Sequence, residues 1–513
     1  MISGYTGLLT ATVFLPAAGA AVILLLLRGD RNIRAFAVLI AVADLALSLL
    51  VFGLFDKSEG AERFQFIDRF PWIPEIPGLA GDSLQASFFL GVDGLSAPLV
   101  ALTGLLGLCA VFASWHINTR VREYFVWLLL LQTAVMGVFA SLDLLLFFLF
   151  WELELVPMYM LIAVWGTGRK EYSAMKFLIF TILGSAFMLV GIVAVFLTPG
   201  VGTFDMTELS TSGSMLTGAG VLLPMGVLFW LFLVAFAIKL PTWPLHTWLP
   251  DAHTDAPTAA SVMLAGVLLK MGGYGILRIN VGMFPGQTEK FAWALVGLGV
   301  ISVLYGAVVT LRQTDLKRLI AYSSVSHMGL VMLGVGSVGI TQGALTVTGL
   351  NGAALQLFTH GTITGLLFVA VGLVYEKAHT RFIPDLGGLA GRMPVVAVAF
   401  LIAGLASLGL PGLSGFVAEL LIFLGAFSAY PVPTALAVLG IILAAGYILW
   451  MIERSFFGEP RERFADITDA NLVEAIPLAI LTISVIGVGV YPSLLTDVFQ
   501  SGLEQMAIFN GGG

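Results

Sequence analysis

The sequence predicts an all-α polytopic membrane protein with about fourteen transmembrane helices, some of them interrupted. Of its 513 residues, 58% are hydrophobic and only 11% are charged, and the mean hydropathy is +1.00. Soluble domains carry roughly 25% charged residues, so this chain has too few charges to cover a water-soluble surface of its size. The second observation is a series of long apolar segments with short polar connections. The third is the concentration of basic residues in alternate connections.

The apolar segments are bounded by charged, Pro-rich or Gly-rich stretches, and each is long enough for a transmembrane helix of about 20 residues. The longest polar connection runs from Phe55 to Ser87. Three segments, at 221–247, 345–375 and 392–426, are too long or too interrupted by Pro and Gly to be single straight helices. The predicted segments are 5–27, 35–55, 90–114, 122–141, 143–165, 173–197, 221–247, 257–279, 291–311, 318–337, 345–375, 392–426, 433–455 and 474–496.

The composition also excludes several classes of function. A single cysteine, Cys109, rules out an internal disulfide, a cysteine-ligated iron–sulfur cluster and a thiolate zinc site. The net charge of −7, without a basic block, argues against nucleic acid as a partner. His246, Asp251 and His253 fit no tight metal-ligand spacing, so the sequence predicts no metal site and no bound cofactor.

Basic residues predict the orientation of the chain in the membrane. Seventeen of the 24 lie in alternate connections, which the positive-inside rule places in the cytoplasm, so both termini are expected outside. The cytoplasmic set is Arg28, Arg31, Arg34, Arg120, Arg122, Arg169, Lys170, Lys176, Arg312, Lys317, Arg318, Lys377, Arg381, Arg392, Arg454, Arg461 and Arg463. The opposite connections hold Lys57, Arg63, Arg69, Arg278 and Lys290.

Charged residues inside the predicted helices are the main candidates for function. A charge at the bilayer centre costs about 2.5–3.5 kcal/mol, so it persists where it is paired, hydrated or useful. Near helix ends, Asp93, Glu123 and Asp143 are as well explained by contact with the membrane–water interface. The candidates at membrane depth are Asp44, Glu152, Glu154, Lys239, Lys270 and Glu419, with His327 and His360 as polar companions.

Glu152 and Glu154 lie two residues apart in one predicted helix. Two residues correspond to about 200° of rotation, so the two carboxylates face different directions. One is expected to face the interior of the helix bundle and the other a neighbouring helix or subunit. The residues themselves do not select between them.

Lys239 is predicted to lie beside a break in its helix. Pro241 and Pro244 follow it, and Pro241 removes a backbone donor and clashes with the carbonyl of Ala237. Broken helices at membrane depth are tolerated where protein or internal water satisfies the freed backbone groups. The lysine is therefore expected at internal water, and the alternative is a purely structural pair with a glutamate.

A second predicted break, at Pro411, precedes Glu419, and Lys270 lies in the helix that follows the first break. The two breaks are five helices apart. Corresponding broken helices in two halves indicate an inverted-repeat transporter, because a repeat of five spans places its second copy upside down. The predicted units are 122–279 and 291–455, preceded by three helices in 1–121 and followed by one in 456–513.

His327 and His360 lie in adjacent predicted helices between the lysines and Glu419 in chain order. A lone buried histidine is often a polar core group. Two in adjacent spans, with an ordinary pKa near 6.5, also fit a proton relay. Both interpretations remain open.

Four stretches of sequence carry a specific resemblance, which extends over almost the whole chain. They are DLLLFFLFWELELVPMYMLIAVWG at 143–166, AFAIKLPTWPLHTWLPDAHTDAPTAASVMLAGVLLKMGGYG at 235–275, RQTDLKRLIAYSSVSHMGLVMLG at 312–334 and GLPGLSGFVAEL at 409–420. The chain resembles the antiporter-like membrane subunits of respiratory complex I, and is most similar to their M type. The resemblance implies fourteen helices, two inverted five-helix units and a hydrated axis of charged residues.

The resemblance also assigns roles to particular residues. The family's glutamate follows a tryptophan in the fifth helix, which selects Glu152 over Glu154. The broken-helix lysine matches Lys239, the connecting lysine matches Lys270, and His327 and His360 resemble the relay histidines. The M type has glutamate where the L and N types have lysine, and this position matches Glu419. Glu123 resembles a further family carboxylate, although a role at the membrane interface fits it equally.

The resemblance implies that the chain is a proton-translocating, non-redox subunit of a bacterial NADH–quinone oxidoreductase. FMN, iron–sulfur clusters and quinone are then expected in partner subunits. L-type and N-type subunits are expected as neighbours in the inner membrane. Internal water and lipids are expected around the chain. Protons would pass Glu152, Lys239, Lys270, His327 and His360 and leave outward through Glu419. The driving force would be electrostatic, because two unit charges about 4 Å apart interact by roughly 4 kcal/mol at an effective dielectric of 20. The alternatives are a subunit of a multisubunit Na⁺/H⁺ antiporter and a purely structural membrane subunit.

Overall fold

The structure, a computed structural model, describes residues 6–58, 60–77, 83–211, 222–338 and 347–506. The segments predicted at 5–27, 221–247 and 345–375 each begin at a residue outside these ranges. The N-terminal part consists of α1 (Leu8–Leu25), α2 (Asp30–Leu54), an antiparallel hairpin of β1 (Gln65–Pro77) and β2 (Ser83–Val92), and α3 (Ala97–Ala113).

The hairpin corrects the predicted start of the third helix. The segment 90–114 was expected to be helical throughout, but residues up to Val92 pair with β1, and Gln65 lies opposite Val92. Apolar residues of β2, such as Phe89 and Leu90, are buried, as residues of a transmembrane helix would be. A short apolar run does not by itself distinguish a buried strand from a helix, which explains the error.

Residues 121–281 form the next group of helices. Two segments of π-helix, Leu264–Leu268 and Ile276–Val281, interrupt the α-helical hydrogen bonding in the last of them, and together with α11 and α12 they make one continuous span, Thr258–Val281. The α-helices are α4 (Val121–Ala140), α5 (Leu144–Leu153), α6 (Leu155–Trp165), α7 (Lys170–Phe196), α8 (Met206–Thr211), α9 (Met225–Lys239), α10 (Trp248–Asp255), α11 (Thr258–Met263) and α12 (Leu269–Gly275).

The remaining helices follow a similar order, again with an interrupted helix in fourth place. After a short helix come three long ones, an interrupted pair (α17 and α18) and a fifth helix that ends as π-helix at Glu453–Phe457. The helices are α13 (Pro285–Lys290), α14 (Ala292–Thr310), α15 (Leu316–Gly336), α16 (Thr348–Ala378), α17 (Pro394–Ser407), α18 (Ser414–Ala429), α19 (Pro431–Ile452), α20 (Leu472–Val490) and α21 (Ser493–Glu504).

The predicted fold class is confirmed. Among the described residues, eleven helices are long and apolar enough to cross a membrane, and four shorter apolar helices accompany them: α3, α9, α17 and α18. The eleven long helices, α3, the interrupted helix that contains α9 and the interrupted pair of α17 and α18 would together make fourteen crossings. The number fourteen remains a prediction.

Two predicted helices differ from the structure in their continuity. The segment 345–375 was expected to be interrupted, but α16 is one helix of 31 residues. It contains no proline, and glycines such as Gly352, which packs against the backbone of Ile422, allow close helix contacts instead of breaks. Conversely, the segment 143–165 is divided at Glu154. Pro157 lacks an N–H and crowds the carbonyl four residues earlier, at Leu153, where α5 ends.

The first predicted break lies directly after Lys239, the last residue of α9. The backbone groups freed by this break are satisfied by protein. The carbonyl of Ala237 accepts a hydrogen bond of 2.9 Å from the Thr242 amide, and that of Ile238 accepts one of 2.9 Å from Trp248 Nε1. The break therefore holds the lysine at a fixed place inside the bundle.

The second predicted break lies between Ser407 and Ser414. Gly409 and Gly412 have φ of +75° and +89° there, a left-handed conformation that is open to glycine and costly for most other residues. Glu419 follows in the second turn of α18, and Gly409 leaves room for its carboxylate.

The most enclosed helices are the ones that carry the candidate residues. The span Thr258–Val281 and α16 are fully buried over their apolar windows and α15 is 94% buried, whereas α20 is only 28% buried. Lys270, His327 and His360 therefore lie in central helices, and the outer helices present apolar side chains outward. This arrangement separates the charged residues from the surface that lipid would cover.

Candidate functional site: a buried axis of charged and polar side chains

Lys239 forms an ion pair with Glu154 in the first half of the structure. Its Nζ donates a hydrogen bond to Glu154 Oε1, and both side chains are almost fully buried. The ammonium also lies 5.5 Å from the ring centre of Trp151 and 5.3 Å from that of Phe177, a separation at which aromatic rings attract cations. The other Glu154 oxygen, Oε2, has no hydrogen-bond partner among the described residues.

The family resemblance selected Glu152 over Glu154 as the functional glutamate, whereas the carboxylate in contact with Lys239 in the structure is that of Glu154. Glu152 is partly buried, and its carboxylate lies beside the hydroxyl of Ser185 in α7 while remaining within electrostatic range of Lys239. Glu154, which makes the direct contact, is the residue at the discontinuity between α5 and α6. One carboxylate thus contacts the lysine and a second lies within electrostatic range of it.

Lys270 and His360 are in direct contact in the centre of the protein. Lys270 Nζ lies 2.7 Å from His360 Nδ1 and also donates a hydrogen bond to the carbonyl of Ala265, which belongs to the π-helical segment. All of the Lys270 side chain is buried. His360 Nε2 has no partner among the described residues, so it is free to bind internal water or a proton.

His327 connects His360 to Glu419. The ring centres of the two histidines are 5.6 Å apart, and His327 Nδ1 lies 3.5 Å from Glu419 Oε1. On its other side, Nε2 of His327 lies 3.1 Å from the hydroxyl of Ser407, the last residue of α17. A cavity of about 10 Å³ adjoins His327, Ser407 and Glu419, which is about the space one water molecule needs.

Lys239 and Lys270 are joined by helix packing and not by a hydrogen bond between described residues. Gly272 in α12 lies against the backbone of Phe236 and Leu240, at the end of α9 that carries Lys239. This close approach brings the two lysine-bearing helices together. A proton passing between the two lysines would therefore need water to connect them.

Two other predicted candidates lie apart from this axis. Glu123 is partly exposed in the first turn of α4 and forms an ion pair with Arg120. Asp44 is buried on α2, where its Oδ2 accepts a hydrogen bond of 2.6 Å from Gln132 Nε2 of α4. Neither side chain contacts Lys239, Lys270 or the histidines.

His253 is a buried residue that sequence reasoning passed over. It was considered there only as a metal ligand, but its ring stacks on Phe368, with centres 4.7 Å apart, and neither ring nitrogen has a hydrogen-bond partner among the described residues. It lies within electrostatic range of Lys270 and of Lys317, which donates a hydrogen bond of 2.6 Å to the carbonyl of Ala256. The signal that could have identified His253 is its position four residues before Pro257 and shortly after the helix break that follows Lys239.

Asp93 and Arg278 form a buried ion pair. Of the two interpretations left open for Asp93, its burial does not fit a solvated residue at the membrane–water interface, and Arg278 lies in the span Thr258–Val281 and not in a connection. The guanidinium binds both carboxylate oxygens, at 2.6 and 2.5 Å. Burial alone would raise the pKa of Asp93, but the charge and hydrogen bonds of Arg278 hold it below its ordinary value.

Comparison with known proteins identifies the family. Residues 141–444, a stretch that contains both lysines and Glu419, match the family described as NADH:quinone oxidoreductase/Mrp antiporter, transmembrane region. The chain belongs to this family. The predicted membership among antiporter-like membrane subunits is thereby confirmed.

Two relatives are similar to this chain over nearly their whole length. NADH-quinone oxidoreductase subunit M from Rhodobacter capsulatus is 41% identical over 513 residues, which cover 97% of this chain and 96% of the relative. NAD(P)H-quinone oxidoreductase chain 4 1 from Synechococcus elongatus is 41% identical over 506 residues, which cover 96% and 90%.

Solved structures of the family share the fold. A chain of respiratory complex I from Thermus thermophilus superimposes with a TM-score of 0.83 at 30% identity, covering 98% of this chain and 100% of that one. A chain of the Mrp complex from Dietzia superimposes with a TM-score of 0.82 at 22% identity, covering 98% of each. At that identity, the second match shows the fold alone.

Proposed function

We propose that this chain is the M-type, proton-translocating membrane subunit of a bacterial NADH–quinone oxidoreductase. The observation that carries the proposal is the buried succession Lys270, His360, His327 and Glu419, with an ion-paired Lys239 at the first helix break. Side chains that exchange protons thus follow one another through the central helices. The similarity to subunit M of Rhodobacter capsulatus over nearly the whole chain supports the same function.

The proposed route runs along the axis from the first unit to the second. A proton taken up from the cytoplasm reaches the Glu152, Glu154 and Lys239 group, crosses internal water to Lys270, and continues through His360 and His327. It leaves outward through Glu419, beside which the cavity of about 10 Å³ has room for water. The units 122–279 and 291–455 each provide one helix break on this route, with 1–121 and 456–513 as flanking segments.

Changes in ion pairing provide the driving force. A carboxylate in contact with Lys239 favours the charged ammonium, and movement of the carboxylate away removes that stabilisation. Glu154 holds the lysine in the present structure and Glu152 lies close to it as a second partner. Exchange of the lysine between tight and loose pairing loads and releases a proton.

Energy for this exchange comes from partner subunits, because the proposal places the redox chemistry in them. This chain carries the residues for proton transfer. FMN, iron–sulfur clusters and quinone belong to the partners, and L-type and N-type subunits flank this chain in the membrane arm. The complex lies in the bacterial inner membrane, with both termini of this chain outside. Lipid covers the apolar faces of the outer helices.

Replacement of Lys239 tests the proposal. In the purified complex reconstituted into vesicles, we expect Lys239→Ala to abolish most quinone-linked proton pumping, while electron transfer from NADH to an artificial acceptor persists. Lys57→Ala is the matched control, since Lys57 forms only an exposed ion pair with Asp497. Undiminished pumping by the assembled Lys239→Ala complex would overturn the proposal.

The two glutamates are distinguished by a parallel pair of variants. Glu154→Gln removes the charge in contact with Lys239, so we expect the larger loss of pumping from it, and a smaller loss from Glu152→Gln. A larger loss from Glu152→Gln would show that Glu152 holds Lys239 in the working cycle and that Glu154 is secondary.

A second candidate function is a subunit of a multisubunit Na⁺/H⁺ antiporter, which the shared fold with the Dietzia Mrp chain favours. Purification of the native assembly decides between them. A flavin-bearing, iron–sulfur-rich assembly supports the oxidoreductase, and an assembly of membrane subunits alone, exchanging Na⁺ for protons in vesicles, supports the antiporter.

A further inference from the structure

Three side chains outside the buried axis converge on one point of the surface. His116 lies between α3 and α4, Glu376 lies in the last turn of α16, and Glu474 lies in the first turn of α20. One nitrogen or oxygen of each lies within 4.8 Å of the corresponding atoms of the other two. His116 Nε2 contacts Glu376 Oε1 directly. We refer to His116, Glu376 and Glu474 as the His116 cluster.

Glu474 is held in place by interactions that use only one of its oxygens. Its Oε2 accepts a hydrogen bond of 2.9 Å from the Asn471 amide, as part of the cap of α20, and lies 2.9 Å from Lys377 Nζ. Its Oε1 makes no hydrogen bond to a described residue. The carboxylate is therefore oriented before any ligand binds, and one oxygen remains available.

The His116 cluster is accessible from water and has space beside it. The side chains of His116 and Glu376 are 31% and 27% exposed, and that of Glu474 is 13% exposed. All three line a cavity of about 10 Å³, together with residues such as Thr258 and Pro477. An ion could reach this point without crossing the buried core, and it would find a partly enclosed pocket.

We propose that the His116 cluster binds a divalent transition-metal ion of the zinc class. An imidazole nitrogen and two carboxylate oxygens make a three-ligand set, and water in the fourth position completes the tetrahedral geometry that zinc prefers. The imidazole nitrogen distinguishes this site from one for Mg²⁺ or Ca²⁺, which take oxygen ligands in larger number. In the binding step, the metal replaces the proton or the ion-pair contact between His116 and Glu376. The two carboxylates balance the double positive charge of the metal, and Lys377 is a further positive charge beside the site.

The site is independent of the proposed proton route, although electrostatic interactions connect it to a buried histidine that also interacts with Lys270. Glu376 is within electrostatic range of Lys317, and Lys317 is within range of His253. The orientation predicted from the basic residues places the cluster on the cytoplasmic face. Failure of metal binding would leave the proposed function unchanged, since none of the three ligands belongs to the buried axis.

Zinc binding by the purified complex tests the site. After removal of loosely bound metal with a chelator and dialysis against Zn²⁺, we expect the wild type to retain one more zinc ion per complex than His116→Gln or Glu474→Gln, as measured by mass spectrometry of the metal content. His116→Cys supplies a thiolate ligand, so it should keep the ion, although it cannot form the histidine–glutamate ion pair. His379→Asn is the matched control, because His379 is exposed in a left-handed conformation that asparagine tolerates.

The outcomes separate a metal site from a structural ion pair. Loss of one zinc ion in both Gln variants, with retention in His116→Cys and His379→Asn, supports the site. Equal zinc content in the wild type and the two Gln variants would overturn it, and so would loss of zinc in His116→Cys as well. NADH oxidation by each variant, measured in the same preparations, shows that the complexes compared are assembled.

Discussion

Asp93 and Arg278 join the start of α3 to the end of the span that carries Lys270. Arg278 Nε donates a further hydrogen bond of 3.0 Å to the Tyr274 hydroxyl, and Asp93 Oδ1 accepts from the amides of Leu95 and Ser96. The effect of a fully buried ion pair on stability is seen when one of its two partners is removed. Loss of one partner leaves an uncompensated charge inside the protein.

We therefore expect Asp93→Asn to lower the free energy of unfolding by about 3–5 kcal/mol, the usual cost of breaking a buried ion pair from one side. Thermal unfolding in detergent would measure the change. Asp497→Asn is the control, since it removes an exposed partner of Lys57 and should cost about 0–1 kcal/mol. Equal effects of the two variants would contradict a stabilising role for the buried pair.

The same pair predicts a dependence on pH. A carboxylate whose pKa is lowered by folding stabilises the protein above the pKa of the unfolded state, 3.8 for Asp93, and this stabilisation is lost as the pH falls through the lower folded value. The difference in stability between the wild type and Asp93→Asn should thus be constant from about pH 8 to pH 5 and shrink only in stronger acid. A difference that shrinks near neutral pH would contradict the assignment.

At the scale of residues, the types and approximate positions of the buried charges were predictable, but their partners were not. The rarity of charge in apolar segments singled out Lys239 and Lys270. Which of Glu152 and Glu154 touches Lys239 depends on how α5 and α6 pack against α9, and these helices are distant along the chain. Nothing in the sequence distinguishes His253 from an ordinary buried histidine. Only the folded protein shows that its two ring nitrogens lack hydrogen-bond partners among the described residues.

The contact between α9 and α12 is the element on which the connection between the two lysines depends. A Cβ atom at Gly272 would lie 2.6 Å from the Leu240 amide nitrogen and 2.7 Å from the Phe236 carbonyl oxygen. Both neighbours are backbone atoms, so they cannot move aside cheaply. Glycine at this position is what allows the helices to approach.

Substitution of Gly272 by alanine should push these helices apart. We expect Gly272→Ala to destabilise the protein by about 1–3 kcal/mol, the usual cost of overpacking, and to reduce proton pumping because the distance between the lysines increases. Gly297→Ala in α14 is the matched control, because nothing lies within 4 Å of its added Cβ. It should be neutral or stabilising by up to about 1 kcal/mol, as alanine favours helix. Thermal unfolding and pumping assays check both, and equal behaviour of the two variants would argue against the close contact.

Among the elements, the breaks after Lys239 and Ser407 were predicted, whereas the division at Glu154 and the hairpin were not. Pro241 and Pro411 act on the backbone within one turn of themselves, so their effect can be predicted from the local sequence. The β1–β2 hairpin depends on pairing between residues well separated along the chain, and the buried residues of β2 are as apolar as a helix. The continuity of α16 likewise depends on the neighbours that pack against its glycines.

The orientation of the whole molecule rests on the distribution of its basic residues. Arg278 and Lys317 are buried in the structure. Without them, the cytoplasmic and the outside sets of basic residues each lose one residue, and the cytoplasmic set remains much the larger. Cys109, the single cysteine, is fully buried and should not react with a water-soluble reagent. The native chain is thus a suitable background for introduced cysteines.

A membrane-impermeant maleimide would test the predicted orientation. We expect Ser58→Cys, at an exposed position after α2, to be labelled from the outside of intact cells. Asn32→Cys, exposed at the start of α2, should be labelled only after the membrane is permeabilised. The reverse pattern would place both termini in the cytoplasm. Labelling of the native chain would show that Cys109 is accessible.

By itself, the sequence determined the class of the protein, its family, the two proline breaks and the residues that place charge inside the membrane. These follow from composition and from local effects, since a proline or a charged residue acts on its own helix wherever that helix packs. The tertiary structure decided which groups meet: Glu154 with Lys239, Lys270 with His360, and Asp93 with Arg278. It also brought His116, Glu376 and Glu474 together from distant parts of the chain. Such contacts depend on helix packing and rotation, because a turn of one residue moves a side chain by about 100° around its helix.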